Sequence, residues 1–547
     1  MTHFFTRHHA NKPVLFRGLL LILVFLLGSC QAEQPAPTEH TTILVESSPT
    51  PIKVEETAAS EPTAVPPKTA TATAVPPNTA TPSPTPTPTP TPTLSLFIPP
   101  AWEHITASAI EQLNTHTDFN WQLANSEPES DIALSKNDGE LVHREPLVLA
   151  VPYNAAWDST DEQTALNVIE NGHPLVQVIP WKDINPTQKA MHLDGRFPTD
   201  TDYPFYENWF LTGETGHETA VATAAPILQT LMSDPVIHIA AVGDIMLDRT
   251  LGNVIAEGDI EFPFKLVADP LQQADITIGN LESALGNTGE PVEKSYTFQS
   301  PPAAAASLAW GGFDVISLAN NHALDYGSES LLQGIELLKE QKIAPIGAGA
   351  NAELARAPHI ISVNGLKVAF LAYVHVPVEA VGNGFDTATW TATETTPGLA
   401  WAVPAEIVED VTAVSTQADL IVVMLHSGYE YVEPPSAEQA AAAHAAIDAG
   451  AHLVVGHHAH ILQAVEFYKQ GVIAYGLGNF AFNIDGNANT AILHIWLDHD
   501  GIRQFEFTPA IVQYGGQPRL ATPEESSTIL GQIYRLSQGF PIPSPEN

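Results

Sequence analysis

Five times between residues 236 and 460 a short apolar run stops on a carboxylate, a carboxamide or an imidazole. VIHIAAVGD (236–244) ends at Asp244, and ADITIGNLES (274–283) carries Asn280 and Glu282 at its end. FDVISLANNHALDYG (313–327) delivers Asn320, Asn321, His322 and Asp325 just before SESLLQGIELLKEQ (328–341), whose apolar residues have helical spacing. LIVVMLHSGYEY (420–431) delivers His426 and Glu430, and HLVVGHHAH (452–460) delivers His457, His458 and His460. One acid after an apolar strand is commonly a turn residue or a helix cap. Five consecutive strands ending in ligand-type side chains are not explained by turn chemistry. In open α/β sheets ligands are met beyond the carboxyl ends of the strands, so the pattern predicts an α/β fold with one site at those ends.

The donor types name the chemistry. Carboxylate and amide oxygens mixed with neutral imidazole suit Mn, Fe or Zn, and a single cysteine in the chain excludes an all-thiolate site. A divalent metal centre of one or two ions is therefore expected. YGLGNFAF (475–482) reads as a strand and a tight glycine turn that brings Asn479 near the histidines, with packing alone as the other reading. AILHIWLDHDG (491–501) and IRQFEFTPAIV (502–512) form a predicted hairpin around Asp500-Gly501, followed by a short helix over 524–536.

Six segments in order, GDIMLDR (243–249), GNLES (279–283), LANNHALDYG (318–327), HSGYEY (426–431), GHHAHILQ (456–463) and YGLGNF (475–480), resemble the CapA family of poly-gamma-glutamate capsule synthesis proteins. The resemblance spans roughly 236–515. It implies a four-layer αββα sandwich like that of the calcineurin-like metallophosphoesterases, over 233–517. It also implies roles: Asp244 as the first acid, Glu282 as the bridging acid, Asn321 as the amide ligand, His426 as the lone histidine, and His458 with His460 as the H-x-H. His322, beside Asn321, would then protonate a leaving group or meet the substrate oxyanion, and two metals would clamp the attacking and leaving oxygens. Asn280, Lys294, Tyr296, Glu430 and Asn479 are candidate substrate contacts, a solvated Lys294 and a packed Tyr296 being the plainer alternatives. Met246 stands where the superfamily has its first histidine, and a thioether is a poor ligand for a hard metal; GD-x-M-L is nevertheless what the CapA family itself looks like. Asp248 is open between a substitute ligand and a solvated loop acid, and His457 is read as a neighbour of the site. Ser427, Ala459 and Gln299 replace the Trp, Pro and Arg common in the family, and the last change removes a bidentate anion contact.

The rest of the chain reads as delivery. Residues 1–30 carry Arg7, Lys12 and Arg17 before an apolar run from Gly18 to Leu27 that is too short to span a bilayer, as in a signal peptide. Cys30 follows Leu27, Gly28 and Ser29, resembling a bacterial lipobox; its lipidation would tether the protein outside the cytoplasmic membrane, in the periplasm or at the cell surface. Residues 31–95, ending in TPSPTPTPTPTPT (81–93), lack the apolar residues to fold and form a disordered linker, roughly 60 residues reaching on the order of 200 Å if extended as polyproline II. Residues 96–232 alternate strands (130–135, 147–154, 173–181) with helices (108–113, 161–172), an accessory α/β domain that distantly resembles a lobe of periplasmic solute-binding proteins. There Trp157, Trp181, Trp209 and Tyr206 are open between core and ligand cleft. Residues 518–547 form the terminal helix and tail.

With 62 acidic against 21 basic residues and a formal charge of −41, nucleic acid is excluded as a partner. The same charge repels polyglutamate unless metal ions or a local basic groove offset it. The leading expectation is a metal-dependent hydrolase or transferase on a phosphoester or amide-type bond in capsule or poly-gamma-glutamate biosynthesis or export. The alternatives are a non-catalytic scaffold that binds the polymer, and a solute sensor working through 96–232.

Overall fold

The computed structural model describes residues 91–378, 384–483 and 488–542. The signal-like segment with Cys30, and the linker up to residue 90, lie outside the described residues. The described residues all fall within one compact unit. No helix among the described residues is long and apolar enough to cross a membrane.

Two sheets lie at the heart of the C-terminal half. The first runs Ala344–Ile346, Val315–Ser317, Ile276–Leu281, Ile237–Ile245, Asn489–Asp498, Gly501–Val512 and Pro518–Leu520; its first four strands are parallel and each later one is antiparallel to its neighbour. The second runs His359–Val363, Leu366–His375, Leu420–Ser427, Leu453–His457, Gly471–Ala474 and Val465–Tyr468, with the four inner strands parallel.

Strand Leu420–Ser427 shows why the runs are uninterrupted: every residue is buried because both faces are covered. Val422 and Met424 share a core with Ile239, Ile278 and Ile495 of the first sheet. Ile421, Val423 and Leu425, one step out of phase, pack with Ile407 and Val411 of helix Pro404–Val414 and with Ala442 and Ala446 of helix Ala437–Asp448. Across the first sheet, helices Arg249–Ala256, Ala304–Gly311 and Gly327–Glu340 bury Leu251, Ile255, Leu308, Leu331, Ile335 and Leu338. The result is the αββα order expected, held by side chains each contributing roughly 1.5–3 kcal/mol on burial. Helix starts follow local chemistry: Ser436 and Gln439 form a reciprocal capping box, as do Thr522 and Glu525 at helix Pro523–Ser537. The hairpin turns one residue earlier than expected, with Asp498 paired to Gly501 and the left-handed Gly501 (φ 117) opening the return strand.

Residues 93–213 build their own sheet in the order Asn120–Leu123, Thr93–Phe97, Ile132–Ser135, Tyr206–Gly213, Glu140–Pro152 and Gln177–Pro180. Helices Thr106–His116 and Glu218–Leu231 cover it through Leu113, Ala224 and Leu228. Trp181 and Trp209 are core, whereas Trp157 is 38% exposed and Tyr206 lies under the Arg144 guanidinium. This region rests on the hairpin of the first sheet. Phe197 stacks on Trp496 at 4.3 Å, Trp181 Nε1 donates to Gln504 Oε1 at 3.1 Å, and Arg503 pairs with Asp234 and Asp498.

At that seam His238 Nε2 lies 2.9 Å from His494 Nδ1, with the His238 ring stacked on Trp496 at 4.6 Å. Burial, then the neighbouring His238, pushes His494 down from 6.5 to about 4. Between those values the unfolded chain takes a proton that the folded chain refuses, so stability falls as pH drops from 6.5 towards 4, by roughly 3 kcal/mol at the low end. The melting temperature of His494→Gln is therefore expected to fall less than wild type between pH 7 and pH 4; equal falls would contradict this assignment.

Candidate metal centre

The parallel strands of both sheets point their carboxyl ends at one spot. Asp244 is placed by a close backbone approach: a β-carbon at Gly243 would overlap the Gly478 carbonyl oxygen. Asp244 N donates to that oxygen at 3.0 Å, and Phe480 N donates back to Asp244 O at 2.8 Å. The 475–480 turn is thus laid on the Asp244 strand, and Asn479 Oδ1 comes within 2.9 Å of His460 Nδ1. Gly456 plays the same part for the histidine turn, its missing side chain leaving room for the Tyr475 carbonyl. In that turn His458 and His460 both take left-handed backbone (φ 87 and φ 56), a conformation costly for a residue with a β-carbon.

Two groups of side chains each bring three ligand atoms within 4.8 Å of one another: Asp244, Glu282 and His426, and Glu282, His458 and His460. Glu282 belongs to both, the position of a bridging acid. It is fully buried and neither carboxylate oxygen accepts a hydrogen bond. His426 Nε2 lies 3.6 Å and His460 Nε2 3.7 Å from Glu282 Oε1, while His426 Nε2 also lies 2.8 Å from Asn321 Oδ1. Asn280 ties the sheets together from behind: its Nδ2 donates to Asp244 Oδ1 at 2.9 Å and lies 3.2 Å from His426 Nδ1, and its Oδ1 accepts from Asn320 Nδ2 at 3.0 Å.

The charges fit a divalent ion. Burial, with Asp244 next to it, raises Glu282 well above the ordinary carboxylate range. Burial also acts to raise Asp244, but hydrogen bonding and charge from His457 and His460 outweigh it and hold Asp244 low. Burial and the neighbouring His460 push His458 down to about 3; burial opposes the charge of His460, yet Glu282 and Asp244 drive it up to about 10. Glu282, a buried acid without a hydrogen bond, stands with Asp244 beside the imidazoles of His426 and His458, both held below their ordinary range, and these groups make a donor set for Mn, Fe or Zn.

His322 sits beside the ligands with its Nδ1 2.7 Å from Asp325 Oδ2. Asp325 Oδ2 also accepts from Phe298 N at 2.8 Å, and its Oδ1 accepts from Lys294 Nζ at 2.9 Å. The Lys294 side chain is wholly enclosed and reaches the Asn321 carbonyl as well. Tyr296 is 51% exposed. Glu430 lines a cleft that reaches His458. Met246 is buried in a small apolar cluster with Phe298 and Phe482. Asp248 caps helix Arg249–Ala256, taking Arg249 N at 2.6 Å, and also accepts from Gln299 N at 3.0 Å. His457 Nδ1 is 3.3 Å from Asp244 Oδ1 but belongs to neither group of three. The partnership of Asp325 with His322 went unread in the sequence, although their spacing of three, just ahead of a helix, was its signal.

Residues 238–484 match the family model described as "Bacterial capsule synthesis protein PGA_cap". The chain is 32% identical over 284 residues to the PGA biosynthesis protein CapA of Bacillus subtilis (strain 168), covering 51% of this chain and 72% of that protein. It is 29% identical over 302 residues to the capsule biosynthesis protein CapA of Bacillus anthracis, covering 53% and 71%. A solved phosphatase structure from Mycoplasma pneumoniae aligns with 51% of this chain and 95% of its own, at 12% identity and a TM-score of 0.33. With six ordered motifs, a αββα sandwich and relatives at this identity and coverage, the chain belongs to the CapA family of capsule and poly-gamma-glutamate biosynthesis proteins, within the metallophosphoesterase-like superfamily.

Proposed function

We propose that this protein is a metal-dependent hydrolase or transferase acting on a phosphoester or amide-type bond during capsule or poly-gamma-glutamate assembly, lipid-anchored through Cys30 outside the cytoplasmic membrane. The observation that carries the catalytic part is Glu282, fully buried, without a hydrogen bond to either oxygen, and common to two sets of donors. Association with the polymer or its synthesis machinery follows from the names of the CapA relatives. The acidic linker-bearing chain and its lipobox-like Cys30 support the anchored location.

When bound by Asp244, Glu282, Asn321, His426, His458 and His460, a divalent ion supplies Lewis-acid polarisation of a phosphoryl or carbonyl oxygen. The chain's own residues do the rest. Asp325 fixes the Nδ1 proton of His322 as a donor, which leaves Nε2 to exchange a proton with the reacting group. Lys294 neutralises the Asp325 carboxylate in a dry setting, and the Phe298 ring, 4.4 Å from His322, limits the imidazole's freedom. Asn280 aims Asp244 and His426. A second reading, a polymer-guiding protein that keeps the fold and one ion, is favoured by Met246, which places sulfur and apolar packing where the superfamily has a ligand.

Elemental analysis of the full chain is expected to find near-stoichiometric Mn, Fe or Zn in wild type and to find it lost in Glu282→Gln. Because Glu282 and His460 are both raised, their protons must leave before an ion binds, so affinity should climb with pH. Unchanged metal content in Glu282→Gln would refute the bridging role. On a responsive substrate, His322→Ala should lose about 10²–10⁴-fold in kcat, with Asp325→Asn intermediate and shifted in pH profile; wild-type rates in both would leave the scaffold reading. Cys30→Ala is expected to move the protein from the membrane to the soluble fraction, and retention on the membrane would remove the lipid anchor.

A further inference from the structure

At the carboxyl ends of strands Leu366–His375 and Leu420–Ser427, next to the centre, lies a cleft of about 560 Å³ lined by His375, Val378, Tyr429, Glu430, Glu438 and His458 among others. That volume is in the range of small-molecule sites. His458 connects it to the centre: the side chain is 4% exposed and its Nδ1 has no hydrogen-bond partner. Among the described lining residues the Asp, Glu, Lys and Arg side chains are two carboxylates, Glu430 and Glu438, with neither lysine nor arginine.

Glu430 is held in place by backbone. Gly428 (φ 111) turns the chain against the buried Gln439 side chain, and Tyr431, left-handed at φ 61, donates its N–H to Ala459 O at 2.8 Å. Gln463 Nε2 then donates to Val432 O at 2.8 Å. The turn is clamped to the segment that carries His458 and His460, which fixes the Glu430 backbone beside the centre. Its carboxylate also acts electrostatically on Glu282 and His460.

A γ-linked glutamate chain bears a carboxylate on every residue and one ammonium, at its amino end. A mid-chain segment entering this cleft would set carboxylates against Glu430 and Glu438 with no lysine or arginine of the described lining to offset them. An ammonium there finds charge-assisted acceptors, with Tyr429, Val378 and the neighbouring Pro377 flanking its carbon stem. We propose that the cleft is a specificity subsite for a primary ammonium group, and that the substrate enters by the amino end of an acyl-linked chain with that ammonium paired to Glu430. This rests on the metal-site reading above and narrows its substrate to amine-ended chains; Glu430 is a specificity-determining residue.

The test is calorimetric titration of the full chain, supplied with Mn²⁺, with tri-γ-glutamate bearing a free amino end and with its N-acetylated form. Wild type is expected to bind the free amine about ten-fold or more tightly, the scale of one charge-assisted contact. Glu430→Gln should bring the two ligands within about two-fold while holding as much manganese as wild type. Equal binding of the two ligands by wild type, binding of neither, or an undiminished preference in Glu430→Gln would overturn the proposal. Elemental analysis of the same samples keeps the two readings apart: a free-amine preference in protein that holds no metal would sink the metal reading and keep this one.

Discussion

Ionising a carboxyl group buried without a hydrogen bond costs several kcal/mol, and Glu282, at the meeting point of two sheets, is such a group, its carboxyl raised well above the ordinary range. Asp244, 1% exposed, is by contrast held by Asn280 and by the backbone N–H of His458. The difference separates an acid oriented by protein from one left for a proton or a bound cation to complete. Much of the surrounding architecture serves that contrast. The glycines at 243 and 456 admit carbonyls from the 475–480 segment, and the strained backbone at His458 and His460 turns two imidazoles inward.

The sandwich was legible because parallel strands covered on both sides must be apolar throughout, and such strands end where polar residues begin. Thus LIVVML before His426 and HLVVG before His457 announced both the sheet and its functional edge. That Glu282, His458 and His460 meet at one spot was legible through the order of motifs, and the approach of Asn479 through the glycine turn that carries it. Partnerships that depend on distant loops were not. Lys294 looks in sequence like a surface cation in a polar loop, yet its ammonium is enclosed with Asp325, 31 residues away. Asn280 resembles a substrate contact by position, but its amide is committed to Asp244, His426 and Asn320, a geometry that exists only once two sheets are stacked. Asp248 was open between a substitute ligand and a solvated loop acid, and its actual place as the cap of helix Arg249–Ala256 is neither, fixed in part by Gln299 N from a loop distant in the chain.

The aromatic residues of 96–232 show the same limit. Trp181 and Phe197 belong to a seam with the outer hairpin, against Gln504 and Trp496, which no local pattern announces. That contact covers one side of the hairpin, where burial holds the His238 and His494 imidazoles below their ordinary range. The accessory region is thereby bound to the sheet that carries Asp244, while the opposite sheet carries the cleft beside His458. Net acidity and an anionic polymer are reconciled if the protein meets the chain at its amine-bearing end and leaves the polyanionic interior outside.

The most direct test of the central assignment is a crystal structure of the protein grown with Mn²⁺, with anomalous differences measured at the manganese edge. Two peaks sharing Glu282, one also bound by Asp244 and His426 and the other by His458 and His460, are the predicted result. A map with no peak at Glu282, while manganese is bound elsewhere or not at all, would contradict it.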